Sequence, residues 1–199
     1  MGLRETKKLA TRQQIAGVAM RLFVTRGFDH VTVAEIAREA GVSDKTVFNY
    51  FPSKEDIFFD EVPERLRVLA EAIRDRAVGE TVLHALRRMQ LAEVPRLTSE
   101  AFVHFARTLE ESPALLAKEV DVMARFVQTI AEQLQGEGLS ERDARICAAL
   151  LVGVHRQFFR AARRMAIAGK HGPTAVRRLR DDIARAYELL EGGLGAVLP

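Results

Sequence analysis

The stretch from Thr32 to Ser43 constrains this chain more tightly than any other. Thr32-Val33-Ala34-Glu35 has the spacing of a capping box, in which the Thr hydroxyl accepts from the third amide and the Glu carboxylate reaches back. The spacing predicts a short helix over 33–40 with Ile36 and Ala37 turned inward. Gly41 stops it, Val42 is apolar, and Ser43 caps a further helix from Asp44 to about Tyr50. Phe51-Pro52 breaks that helix, because a residue before proline is pushed out of the α region. Ser53 then caps a fourth helix, with Asp56 three residues on. Two short helices joined by a tight turn make a helix-turn-helix arrangement. Small Ala37 lets the helices approach, and Val42 and Val47 fill the wedge between them. Asp44, Lys45, Thr46 and Asn49 are left on the outer face, where short polar side chains can reach base edges in a major groove. An ordinary αα-hairpin fits the same pattern.

Charge is distributed unevenly around this element. Residues 1–54 hold nine Lys and Arg against five Asp and Glu, while the remainder holds 21 basic and 22 acidic groups. A basic quarter on a near-neutral body suits a module that faces a polyanion, although an excess of this size also falls within ordinary scatter. Upstream of Thr32, apolar residues at helical spacing from Leu9 to Phe23 predict a first helix over 8–26, ended by Gly27. Residues 1–7, with Arg4 and Lys7, are expected to precede it as an arm that adds phosphate or minor-groove contacts together with Lys8.

Residues 9–59 resemble the DNA-binding domain of the TetR family of transcriptional regulators. The matching positions are Ile15-Ala16, Leu22-Phe23, Gly27-Phe28, Thr32 to Ala37, Ala40 to Ser43, and Thr46 to Glu55. The resemblance implies that Thr32 and Val33 start the bracing helix and touch the phosphate backbone. It implies that Ser43 to Asn49 enter the major groove, with Lys45 and Thr46 reading bases, and that Tyr50 and Lys54 bind phosphates. Phe48 departs from the family, which usually has Tyr there; Phe keeps the packing and loses a hydroxyl bond to phosphate.

The body carries further helical periodicity and no β-alternation, repeat or low-complexity tract. The fourth helix is expected to continue from Lys54 past a kink at Pro63 to about Ala77. Helices follow over 80–94, 99–111, 113–135, 141–168 and 173–190. The fold class is therefore all-α: an N-terminal three-helix helix-turn-helix domain over 1–54, with the motif itself at 32–51. It is continuous with a larger helical ligand-binding and dimerisation domain over 55–199.

Two features of the body predict pairing. Ile146 to Val154 is apolar around its full circumference, and such a helix must be covered on every side. The last helix places Val176, Leu179, Ile183, Ala186 and Leu190 at alternating three- and four-residue steps, the pattern of a bundle seam. Together they point to a two-fold homodimer with Ile146, Leu150, Val154, Val176, Leu179, Ile183 and Leu190 at the interface. Burial within a monomeric core accounts for both features as well. The family resemblance implies the dimer, and with it a palindromic double-stranded operator.

Catalytic and metal-binding patterns are missing. His30, His84, His104, His155 and His171 form no i, i+4 ligand pair, and there is no Gly-rich phosphate loop or Gly-x-Ser-x-Gly elbow. The single cysteine, Cys147, sits in the apolar run and reads as an inert thiol. No cofactor, metal or enzymatic activity is expected. The N-terminus lacks a signal-peptide pattern and the apolar run is about half a bilayer span, giving the expectation of a cytoplasmic protein with no membrane partner.

What the resemblance implies beyond DNA is a small, largely apolar effector held inside the body. His84, Phe102, Phe105, Met123, Phe126, His155 and Phe159 are candidates to line such a cavity; a close-packed core uses the same residue types. Arg88 and Arg156 can neutralise an acidic effector or pair on the surface. The reading is a ligand-responsive DNA-binding repressor, against a helical protein–protein adaptor that keeps this fold without reading DNA.

Overall fold

The computed structural model describes residues 2–170 and 172–193, so His171 lies outside the described residues. Among these residues every regular element is a helix: α1 Leu3–Arg26, α2 Val33–Glu39, α3 Asp44–Tyr50, α4 Lys54–Phe58, α5 Val62–Arg74, α6 Val82–Leu97, α7 Glu100–Glu111, α8 Pro113–Gly136, α9 Glu141–Ile167 and α10 Pro173–Gly192. The chain divides into two compact units. The first is residues 1–62 with 107–119, and the second is 63–106 with 120–199. The first unit thus runs past the expected boundary at residue 54 and takes in the end of α7 and the start of α8.

In the first unit α1 packs on α2 and α4, and α2 on α3. Ile15, Ala19, Phe23, Ile36, Val47 and Phe51 are buried at the centre, and the Phe23 and Phe28 rings meet at 4.8 Å between centroids. Burying side chains of this size gives roughly 1.5–3 kcal/mol each, which is what holds such short helices in place. Helix α1 begins at Leu3, so the residues expected as an arm are wound into its first turns.

The fourth helix does not run on. It ends at Phe58, and α5 starts at Val62. Pro63 has no N–H for the carbonyl of Phe59, four residues back; the Val62 amide donates to it instead, at 3.0 Å. The expected kink is therefore a break three residues upstream of the proline, which itself sits in the first turn of α5, where its missing donor costs nothing.

The second unit is held by α10 packed on α6 and α9, and by α6 on α9. Helix α6 starts two residues later than the spacing predicts, because Thr81 caps it by accepting from the His84 amide at 3.2 Å. It also continues past the expected end at residue 94, through Pro95, to Leu97. Leu179, Ile183 and Tyr187 of α10 are buried inside this unit. Leu179 and Ile183, expected at a subunit interface, are instead core residues with 1% of their surface exposed. No described helix is long and apolar enough to cross a membrane.

Candidate functional site

The turn between α2 and α3 is fixed by local chemistry at each end. The Thr32 hydroxyl accepts from the Glu35 amide at 3.2 Å, and the Glu35 carboxylate accepts from the Thr32 amide at 2.8 Å. The same carboxylate pairs with Arg26 at 2.8 Å. These bonds, the Thr32 amide first and Arg26 next, pull the Glu35 carboxyl down to about 2. At the turn, Gly41 adopts φ +66°, a left-handed conformation that suits glycine, and the Val42 amide donates to the Ala37 carbonyl at 3.0 Å. Ser43 then caps α3 by accepting from the Thr46 amide at 3.1 Å, while the two hydroxyls lie 2.8 Å apart.

With Val47 buried against α2, helix α3 presents Asp44, Lys45, Phe48 and Asn49 to solvent. Thr46 and Tyr50 flank them, half-buried. Phe48 is 53% exposed, so its ring stands on the outer face rather than packing into the unit. Beside α3 lies an open groove of about 700 Å³ lined by Glu5, Lys7, Lys8 and Thr11 of α1 with Thr46, Asn49 and Tyr50. The α1 positions fall on one helical face, at three- and four-residue steps. Thr11 was not singled out by the sequence pattern, and helicity before residue 8 is what brings Lys7 to this groove. Thr32 is exposed and Val33 half-buried at the start of α2.

Three polar side chains brace this face from within. Arg12 donates to the Tyr50 carbonyl at 2.9 Å, lies 4.3 Å from the centre of the Phe51 ring, and pairs with Asp60 at 2.5 Å. Burial pushes the Asp60 carboxyl up, and Arg12 works against that rise. Gln14 donates to the Ala40 carbonyl at 2.9 Å, closing the end of α2. Lys54 donates to the carbonyls of both Phe28 and Val31, each at 2.9 Å. Its ammonium is thus engaged within the unit, at the loop between α1 and α2. The segment 107–119 is tied to the same unit by Ser112 donating to Asp29 at 2.8 Å and by Lys118 pairing with Asp56 at 2.8 Å.

The second unit gathers most of the residues expected around an effector. The Phe102 and Phe159 rings meet edge-on at 5.5 Å, and Phe105 lies 6.1 Å from each. His155 stacks between Phe126, at 5.6 Å, and Phe159, at 6.3 Å. Desolvation, reinforced by the positive charge of Arg65, pushes the His155 imidazole down to about 4, so the ring is neutral at physiological pH. Met123 is half-buried on α8. His84 does not join the cluster: it is exposed and faces Glu191 at 3.3 Å, so it is no lining residue. Arg88 is likewise a surface partner of Glu80, at 3.1 Å. Beside the aromatic rings, a single oxygen of Glu93 accepts from Arg65 at 3.0 Å and from Arg96 at 2.8 Å. Among the described residues no three His, Cys, Asp or Glu side chains converge as a metal site would require.

Residues 15–60 match the model of bacterial regulatory proteins of the tetR family, a span that holds the capped turn and Lys54 of its brace. Residues 15–60 thus carry the DNA-binding domain of the TetR family. The chain's relatives there are transcriptional regulators rather than enzymes. The HTH-type transcriptional regulator TcmR of Streptomyces glaucescens is 30% identical over 125 residues, which are 59% of this chain and 55% of TcmR. The chain therefore spans just over half the length of that relative. The mycofactocin biosynthesis regulator MftR of Mycobacterium tuberculosis, itself described as putative, is 28% identical over 67% of this chain and 79% of its own. Among solved structures, Thermus thermophilus FadR, a TetR-family repressor in complex with lauroyl-CoA, superposes with a TM-score of 0.56 at 26% identity, covering 92% of this chain and 94% of FadR.

Proposed function

We propose that this TetR-family regulator is a ligand-responsive repressor that binds a palindromic operator as a homodimer and releases it when a small, largely apolar effector enters the second unit. The observation that carries the reading is the outer face of α3. Lys45 and Asn49 are exposed there, and Thr46 and Tyr50 border a groove that carries Lys7 and Lys8 beside Glu5, placing cations and polar groups where base and phosphate contacts require them. In this arrangement α3 lies in the major groove, Thr32 and Val33 approach the backbone at the start of α2, and Lys7 and Lys8 face a neighbouring phosphate.

The pairing surface is α9. Ile146 and Leu150 are 53% and 52% exposed on one face of that helix, and Gly153, one turn on, leaves room for a close approach. Large apolar residues left in water along one helix face are the mark of an interface. Val154, Val176 and Leu190 are half-buried and lie at its margin. Two readers related by a two-fold axis set half-site centres about 34–36 Å apart, or a multiple of that. The effector reading draws on the aromatic cluster and on the lauroyl-CoA complex of FadR. Helices α7 and α8 carry the cluster residues Phe102 and Phe126 and also supply residues 107–119 to the reading unit, a covalent route for a change in one to reach the other.

A salt-titrated binding assay on DNA flanking the gene tests this. Lys45→Ala and Tyr50→Ala are expected to abolish the retarded complex at salt where the parent protein binds. Unchanged binding in both variants, or binding indifferent to salt, overturns the reading and favours the adaptor.

A further inference from the structure

We propose that the aromatic cluster of Phe102, Phe105, Phe159 and His155 is the site of an apolar monocarboxylic acid whose carboxylate is taken by Arg96. The inference rests on the reading of the second unit as an effector domain and adds the chemical class of the effector.

Arg96 is a cation beside the Phe102 ring with a donor to spare. Its guanidinium lies 5.8 Å from the centre of the Phe102 ring, and its Nε donates to Glu93. Its Nη2 is shielded from water and has no acceptor among the described residues. A guanidinium presents five donors in a rigid fork, and an N–H removed from water without an acceptor is unfavourable until one arrives. The Glu93 oxygen it uses is already shared with Arg65. The Arg96 side chain keeps 36% of its accessibility, leaving the fork room to turn toward an incoming carboxylate.

Apolar walls and a limited set of charges set the rest of the ligand. Phe105, His155 and Phe159 stay partly exposed although they sit within helices and touch other rings. Partly solvated rings beside a cation suit a ligand with an apolar body and a single charged end. His155 is neutral, so it offers one donor and one acceptor and adds no charge to those of Arg65 and of Arg163, whose guanidinium lies 5.6 Å from the Phe159 ring centre. Glu93 is held ionised, its carboxyl kept low by Arg65 and Arg96 against its own desolvation. A dianion such as a phosphate monoester meets that carboxylate across the same guanidinium, whereas one carboxylate completes the fork.

The test uses matched pairs on the full chain: 2-naphthoate, 4-phenylbutanoate and dodecanoate, each against its primary amide, by calorimetry and thermal shift. At least one acid is expected to bind about 10- to 100-fold more tightly than its amide, the span of one charged hydrogen bond. Arg96→Gln is expected to erase the difference, and Arg96→Lys to keep part of it. Glu93→Gln, which removes the competing carboxylate, is expected to strengthen acid binding, an effect that loss of folding cannot imitate. Amides binding as well as acids throughout, or a preference that survives Arg96→Gln, overturns the proposal. Operator release is read separately. An acid that binds through Arg96 without releasing DNA sinks the gated-repressor reading and leaves the site standing; amides that release DNA as well as acids do the reverse.

Discussion

The Lys54 ammonium lies 4.1 Å from the centre of the Phe28 ring, over its π face, while donating to the carbonyl of that same residue. A cation held by a ring and by the carbonyls of Phe28 and Val31 fixes the loop that leads into α2, and so sets where Thr32 caps. Lys54 is therefore expected to act on DNA binding through position rather than as a phosphate partner. Lys54→Gln is expected to weaken operator binding while leaving the slope of log affinity against log salt unchanged. Lys45→Gln is expected to lower that slope by about one, the counterion equivalent of one phosphate contact. A drop of about one in the Lys54 variant contradicts the assignment.

Phe48 stands exposed where the family usually has a tyrosine. A hydroxyl on that ring lies on the reading face, within reach of a phosphate. Phe48→Tyr is expected to tighten operator binding by about tenfold, as one hydrogen bond to a charged acceptor allows, without changing thermal stability. Equilibrium titration of both proteins at one salt concentration decides it.

The two halves of the expected dimer seam make opposite predictions. Leu150→Asp, on the exposed face of α9, is expected to yield a folded monomer by light scattering. Leu179→Ala, in the protomer core, is expected to cost about 2–5 kcal/mol of stability whatever the assembly state. A Leu150→Asp protein that stays dimeric places the interface elsewhere.

His155 ties stability to pH. Its imidazole titrates at about 4 in the folded chain against an ordinary 6.5, so the fold favours the neutral ring. That contribution is complete above about pH 6.5 and is lost as pH falls from there toward 4. Its size is at most about 3 kcal/mol for a shift of this extent, and smaller because the ring is partly solvated. His155→Phe is expected to flatten the thermal midpoint between pH 4 and 6.5. Glu35 produces a separate loss of the same sign lower down, as pH falls from 4.5 toward 2.

What could be read from the residues divides by range. The caps at Thr32, Ser43 and Ser53 were legible because each is a conversation between a hydroxyl and an amide three residues away. The face of α3 was legible for the same reason, since Val47 alone decides which side turns inward. Leu179 and Ile183 misled because a three-four seam reports that a helix face is covered and not which chain covers it. Lys54, Arg12 and Gln14 act on backbone carbonyls 23–38 positions away, and nothing in their local spacing marks that. Of the effector candidates, the ring clusters formed largely as composition suggested, while Arg96 emerged only once Glu93, Arg65 and Phe102 were brought together.

The chain holds no tryptophan and two tyrosines. Tyr50 sits half-buried at the groove beside α3, and Tyr187 is sealed in the second unit with a hydroxyl that has no hydrogen-bond partner among the described residues. The intrinsic ultraviolet emission of this regulator is therefore split between its DNA side and its core. In Tyr187→Phe a single emitter remains, and its quenching becomes a label-free optical record of the operator arriving and leaving.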